Sequence, residues 1–281
     1  MLVTAPYITP DTLYINALFL QPTPWCARDC EGCYVKGFEQ KNSSDTNTDL
    51  FLKLISKINR DGNQIRVNQT TMAIDKLPTD IDKADQMREL IAIYFSKRYQ
   101  FFIGEYHGTV HTLKDLYEYF SEKEQKYILG QTNISPHDSV GRVLDVLSVS
   151  QLSVNQLNQL PRIRECIASH INWNLTIFPN TKLEMLKRDF VQIANAVDSV
   201  YLVLHKPSTG REFNLSSFSA HQEVQMFVKT LPKSIQEKVN IDGCIGDSRR
   251  FLSTGYGCSS NVSRFQVWPD GSVTGCPYNQ T

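Results

Sequence analysis

The 281-residue sequence has no net charge, because 29 Lys and Arg balance 29 Asp and Glu. Nothing in that balance calls for a polyanionic partner such as duplex DNA, and the sequence gives no strong nucleic-acid signal. It also lacks an uninterrupted apolar run of about 18 residues, the length a membrane-spanning helix needs. The opening stretch MLVTAPYITPDTLYINALFLQ has no basic leader and no clear small-residue cleavage site. It reads as mature protein, and a cytoplasmic location is expected. A disulfide framework is missing too. The seven cysteines (26, 30, 33, 166, 244, 258 and 276) are odd in number, and no secretory signal accompanies them. Metal or cluster ligation is the better use for such thiols. The remaining composition, 41% hydrophobic and 21% charged, is that of an ordinary globular chain. It excludes disorder, collagen and coiled coil as descriptions of the whole.

What is present alternates between strand and helix. Strand-like runs occupy 13–21, 64–74, 99–105, 143–151, 171–178 and 199–205. Several are too apolar for simple alternation, as expected of strands buried on both faces. Between them, Leu113, Leu116, Tyr117 and Phe120, and again Leu183, Leu186, Phe190 and Ile193, recur at helical spacing. Cap-spaced pairs mark helix starts at Thr46/Asp49, Thr79/Asp82, Thr112/Asp115, Ser153/Gln156, Thr181/Glu184 and Ser219/Gln222. Six strand-then-helix units of this kind build either an open doubly wound sheet or a partial (β/α) barrel. Both place functional residues in loops beyond the C-terminal ends of the strands. After residue 238 the chain becomes rich in Gly, Ser and Cys. The expected division is a domain over 1–242 and a small extension over 243–281.

The first strand runs directly into Cys26-Ala-Arg-Asp-Cys30-Glu-Gly-Cys33-Tyr34. Three thiolates in one short loop can bind three irons of a [4Fe–4S] cube and leave the fourth iron open. An all-cysteine donor set favours iron–sulfur or zinc over hard cations. The alternatives are a zinc site lacking its fourth ligand, or reactive thiols. Cys166 stands apart within a helical pattern and reads as a small buried hydrophobe.

The triad and its place after strand one resemble the radical S-adenosylmethionine (SAM) superfamily, and Gly32-Cys33-Tyr34 is similar to the glycyl-radical activating branch. The resemblance implies an α/β fold, a partial (β/α)6 TIM-like barrel with a small Cys-containing C-terminal extension. It also implies that SAM chelates the open iron of a cluster held by Cys26, Cys30 and Cys33. An electron from a reductant such as flavodoxin or ferredoxin then cleaves SAM to methionine and a 5′-deoxyadenosyl radical that abstracts a substrate hydrogen. The family often carries Gly-Gly-Glu after strand two. This chain instead has Thr70, Thr71 and Asp75 there, which are the expected substitutes. Tyr34, Ser148, Ser150, Gln151 and Asn174 complete the candidate cofactor contacts by position.

Cys258-x12-Gly271-x4-Cys276 matches the opening motif of the SPASM and twitch extensions, which hold auxiliary iron–sulfur clusters. Trp268-Pro-Asp-Gly271 is a hairpin signal, since Asp-Gly supplies the positive φ that a tight turn needs. Cys244, Cys258 and Cys276 are the candidate auxiliary ligands, with zinc or a metal-free hairpin as alternatives. The expected function is a SPASM/twitch-type radical SAM enzyme acting on a peptide or amino-acid side chain. Other readings are a nucleoside, nucleotide or modified-base tailoring enzyme, a glycyl-radical activase, or a non-catalytic metal-binding protein.

Overall fold

The computed structural model describes residues 8–9, 12–21, 53, 65–73, 101–106, 144–150, 152–166, 168–178, 181–204, 216–241, 264–268 and 271–275. Ten strands lie in one sheet. They are β1 (Ile8–Thr9), β2 (Thr12–Leu20), β3 (Ile65–Ala73), β4 (Phe101–Tyr106), β5 (Leu144–Val149), β6 (Ala168–Ile177), β7 (Ser199–Leu204), β8 (Val239–Ile241), β9 (Arg264–Val267) and β10 (Val273–Thr274). All six expected strands are present. The main difference is β6, which starts three residues earlier than its apolar run suggests, because polar Ser169 and His170 also take strand geometry.

The sheet order is β10-β9-β2-β3-β4-β5-β6-β7-β8, with β1 antiparallel on β2. From β2 to β8 every neighbouring pair is parallel and follows chain order. A doubly wound sheet reverses its order at a switch point. This succession has no reversal, so the doubly wound alternative is set aside. β9 pairs parallel with β2, and β10 turns back antiparallel onto β9. The strands of the chain after residue 242 therefore extend the same sheet.

The helices arise from local sequence. Ser153 and Gln156 do form their expected pair, with the Ser153 N–H donating to Gln156 Oε1 at 3.0 Å. This pair opens a 3-10 turn over Val154–Gln159, and α1 (Leu160–Cys166) starts after it. Pro161 explains the restart: it has no N–H to continue a hydrogen-bonded run, yet its fixed φ suits a first helical turn. Thr181 is not the cap of α2 (Leu183–Ala196), which begins after Lys182. Its hydroxyl accepts instead from the Phe178 N–H at 2.9 Å and closes the loop that leaves β6. α3 (Ser216–Lys229) begins three residues before Ser219, so that serine lies in its first turn. A short α4 (Lys233–Gln236) leads into β8. The starts expected at Thr46, Thr79 and Thr112, and the pattern through Leu113 to Phe120, lie outside the described residues.

One core holds these pieces together. Leu147 and Val149 of β5, Ile171 and Trp173 of β6, and Val200 and Leu202 of β7 are buried with Ile163, Phe190, Ile193, Val224 and Phe227 of the helices. Phe190 packs on Trp173 with ring centroids 5.2 Å apart, and on Phe227 edge-to-face at 5.3 Å. Each such side chain contributes roughly 1.5–3 kcal/mol by leaving water. No helix among the described residues is long and apolar enough to cross a membrane.

Candidate functional site

β6 decides which face of the sheet is which. Side chains alternate along a strand. Ile171, Trp173 and Ile177 are buried, and Trp173 meets the helices. The alternate positions, His170, Asn172, Asn174 and Thr176, belong to the other face. Register carries that face across the sheet: Ser148 of β5 pairs with Asn172, and Asn172 with Ser199 of β7. On the other flank Gln266 of β9 pairs with Phe19, and Phe19 with Thr71 of β3. The buried polar residues among those described are Gln21, Thr71, Ser148 and Gln266. The three that lie within strands are all in these non-helical register rows. Burying a polar group costs free energy unless it finds a partner, so this concentration on one face is chemically informative.

Two of the expected cofactor contacts are brought into one network. Asn172 Nδ2 donates to Ser148 Oγ and to Asn174 Oδ1, each at 2.7 Å. Ser199 Oγ donates to Asn172 Oδ1 at 2.9 Å, and His170 Nε2 stands 3.1 Å from Ser199 Oγ. Thr71 is buried on the same face. Thr70 takes the alternate register position, paired with Leu18 rather than Phe19. Ser150 comes after β5 and is half-buried. Asn172, Ser199 and His170 are not among the candidates that the sequence offers. Their signal is the strict polar alternation His170-x-Asn172-x-Asn174-x-Thr176, which a strand start at residue 171 cuts short.

Beneath this row, an ionic clasp fixes where β6 and β7 begin. The Arg164 guanidinium pairs with Asp198 and donates to the backbone carbonyls of Ser169 and Ala196, each at 3.0 Å. The same carboxylate oxygen accepts the Ile171 N–H at 2.8 Å. Burial pushes the Asp198 carboxyl up. The Ile171 N–H, the hydrogen bond and charge of Arg164 and the field of His170 together outweigh it and hold the group below its usual value.

β2 ends at a fixed point shortly before the first cysteine triad in the sequence. Gln21 is buried, and its N–H donates to the Val267 carbonyl of β9 at 2.9 Å. Five residues later comes Cys26. The Val267 side of this junction is the hairpin expected from Asp-Gly. Gly271 has φ 82°, its N–H donates to Trp268 O at 2.9 Å, and buried Trp268 donates from Nε1 to Thr274 Oγ1 at 2.8 Å. Cys26, Cys30, Cys33, Tyr34, Asp75, Gln151, Cys244, Cys258 and Cys276 lie outside the described residues, as does the side chain of Cys166, the last residue of α1. Among the described residues no three His, Cys, Asp or Glu side chains gather into a metal-holding group.

No family model matches the sequence, and no curated protein matches it. Among solved structures the fold is similar to SuiB of Streptococcus suis. Against SuiB bound to S-adenosylmethionine the TM-score is 0.55 at 12% identity, covering 96% of this chain and 63% of that one. Against SuiB bound to its precursor peptide SuiA the TM-score is 0.54 at 12% identity, covering 95% and 62%. The chain thus spans less than two thirds of the SuiB length. What these likenesses establish is the fold: a mixed α/β structure on a parallel sheet, shared with a protein whose crystal structures hold S-adenosylmethionine and a precursor peptide.

Proposed function

We propose that the protein is a radical SAM enzyme and that its substrate is a peptide. The observation that carries the reading is a conjunction. Cys26-x3-Cys30-x2-Cys33 starts five residues beyond Gln21, at the C-terminal end of the first long strand, in a fold similar to one that binds S-adenosylmethionine. Three soft thiolates in one loop suit a [4Fe–4S] cluster, so the donor set fits the group. Cys26, Cys30 and Cys33 would hold such a cluster, which would supply the electron for reductive cleavage of SAM. The uninterrupted strand order β2 to β8 supports a sheet curved into a partial barrel around that reaction.

The chain's own residues bind and orient. Thr71, Ser148 and Asn174 stand on the non-helical face with hydroxyl and carboxamide groups suited to a polar cofactor, and Ser150 stands just past the end of β5. Tyr34, Asp75 and Gln151 complete the assigned contacts; Thr70, in the alternate register position, is not assigned to this face. The apolar residues Ile15 and Ala17 of β2 are buried and, four and two residues before Phe19, alternate onto the same face, where they exclude water. Cys244, Cys258 and Cys276 of the 243–281 segment are assigned to an auxiliary iron–sulfur cluster, and a flavodoxin or ferredoxin to the supply of electrons. The peptide assignment is supported by the likeness to SuiB bound to its precursor peptide.

The test is anaerobic reconstitution with iron and sulfide, reduction with dithionite, and measurement of 5′-deoxyadenosine from SAM. The wild type should form it. The variant with Cys26, Cys30 and Cys33 all replaced by Ala should not, and equal turnover by that variant would overturn the assignment.

A further inference from the structure

The network on β5–β7 has a direction that can be worked out by counting protons. Ser199 has one hydroxyl proton and donates it to Asn172 Oδ1, so its oxygen is left to accept from His170 Nε2. Asn172 has two amide protons. One goes to Ser148 Oγ and the other to Asn174 Oδ1. Asn172 is then fully used: both protons are donated and its oxygen is occupied. The consequence falls on the two ends of the chain. Ser148 Oγ already accepts, so it keeps its own proton to donate elsewhere. Asn174 Oδ1 already accepts, so its Nδ2 group keeps two protons. Neither group has a further partner among the described residues. Ser148 is 3% exposed, deep enough that an unanswered donor there carries a real cost.

We propose that Asn172, itself held by Ser199 and His170, is a positioning residue that fixes Ser148 and Asn174 as a pair of hydrogen-bond donors for an acceptor oxygen of the ligand bound against this face. The inference rests on the radical SAM reading, and the ligand is taken to be SAM. The carboxylate or a ribose oxygen of SAM meets such a pair, whereas an ammonium group does not. Ser148 Oγ and Asn174 Oδ1 both accept from Asn172 Nδ2, so the Ser148 hydroxyl and the Asn174 carboxamide stand side by side on one face of the sheet. Asn172 acts through them and needs no contact of its own with the ligand.

The roles also run consistently in reverse. If Asn172 turned its oxygen toward Ser148 and Asn174, Ser148 would spend its proton inward and Asn174 would present its carbonyl. Isosteric substitutions separate the two directions. Asn172→Asp removes both inward protons, so Ser148 must donate to the new carboxylate and Asn174 must turn over. Asn174→Asp removes the outward protons directly. In the proposed direction each should weaken SAM binding at least tenfold in the reconstituted protein, measured by equilibrium dialysis. Wild-type SAM affinity in Asn174→Asp would mean that no outward proton of Asn174 meets the ligand, and that result would overturn the proposal.

A double-mutant cycle distinguishes positioning from general support of the fold. Adding Asn172→Asp to a Ser148→Ala/Asn174→Ala background should weaken SAM binding by less than about twofold further, because the groups through which Asn172 acts are already gone. Full additivity would overturn the positioning role. Ser199→Ala frees the Asn172 oxygen with little change of volume and should weaken binding about threefold, of the order expected for one neutral hydrogen bond. It keeps the test open if Asn172→Asp fails to fold, and wild-type affinity in Ser199→Ala would then decide against the proposal. Decarboxylated SAM identifies the oxygen. If the Asn172→Asp loss disappears with that probe, the acceptor is the SAM carboxylate; if it persists, the acceptor is a ribose oxygen. A wild type that binds SAM while all these variants bind it equally sinks this inference and leaves the enzyme reading standing. A loaded wild type that binds no SAM sinks the enzyme reading itself.

Discussion

Replacing Asp198 with Ala should be among the more damaging single changes at the base of the sheet. The carboxylate accepts the Ile171 N–H at 2.8 Å and pairs with Arg164. Losing the charged acceptor leaves a backbone donor of β6 unanswered, which costs about 1–3 kcal/mol. The ion pair adds less. Its side chains are 31% and 34% exposed, so solvent screening reduces the pair to about 0.2–1 kcal/mol. The sum is about 1–4 kcal/mol at neutral pH. Asp198→Asn keeps an acceptor for Ile171 and should lose about 1 kcal/mol. The pH dependence has a definite sign. The folded group is held below the ordinary carboxylate value, so its contribution is fully present above that value. It is lost as pH falls through the lower folded value, because protonation then favours the unfolded chain. Urea unfolding of the wild type and Asp198→Asn should therefore show a gap at neutral pH that closes on strong acidification. A gap that widens as acid is added, or no gap at neutral pH, would refute the reasoning.

Three further outcomes are expected. Reconstituted protein should carry about eight irons per chain, on the order of four per cluster, and the Cys26/Cys30/Cys33 triple Ala variant about half of that; Mössbauer spectra showing one cube in the wild type and none in the variant would remove the auxiliary cluster. Lys238 Nζ donates to the carbonyls of Ala194 and Val197 at 3.1 and 2.8 Å, at the end of α2, so Lys238→Met should lower stability by about 0.5–1.5 kcal/mol, read from the urea midpoint. Gly271→Ala, at φ 82°, should cost about 1–2 kcal/mol in the same measurement, and an unchanged midpoint would show that the turn accommodates a Cβ.

The strands are legible in the sequence because parallel strands buried on both faces leave nearly continuous apolar runs. β2 is the clear case: Ala17 and Leu18 are neighbours in sequence and both are buried. The hairpin is legible because few residues other than glycine accept the φ of Gly271. Helix starts are harder to read. Hydroxyl side chains also close turns and occupy first helical turns, as Thr181 and Ser219 do, and spacing alone does not separate those uses. Of the polar residues on the non-helical face, Thr71, Ser148 and Asn174 are picked out in the sequence by their place toward strand ends. Asn172, His170 and Ser199 escape because a polar residue mid-strand acquires its meaning only from register. His170 and Ser199 lie 29 residues apart and meet only once β6 and β7 pair.

The seating of β9 beside β2 has a consequence for how the molecule is made. Ala17 pairs with Arg264 and Leu20 with Val267, so the first long strand waits for residues synthesised 247 positions later before both its edges are covered. Contacts of such long sequence separation slow folding. Until they form, a nascent chain displays β2 as a hydrophobic edge open to pairing with other chains. The end of β2 is fastened by the same late event, since Gln21 gains its Val267 bond only when β9 arrives. A chain interrupted before residue 264 would thus contain every cysteine of the triad and still lack the strand that fastens the end of β2. Under the radical SAM reading, delivery of iron and sulfur is expected to come after completion of the sheet, which makes the timing of assembly on the ribosome part of what this topology specifies.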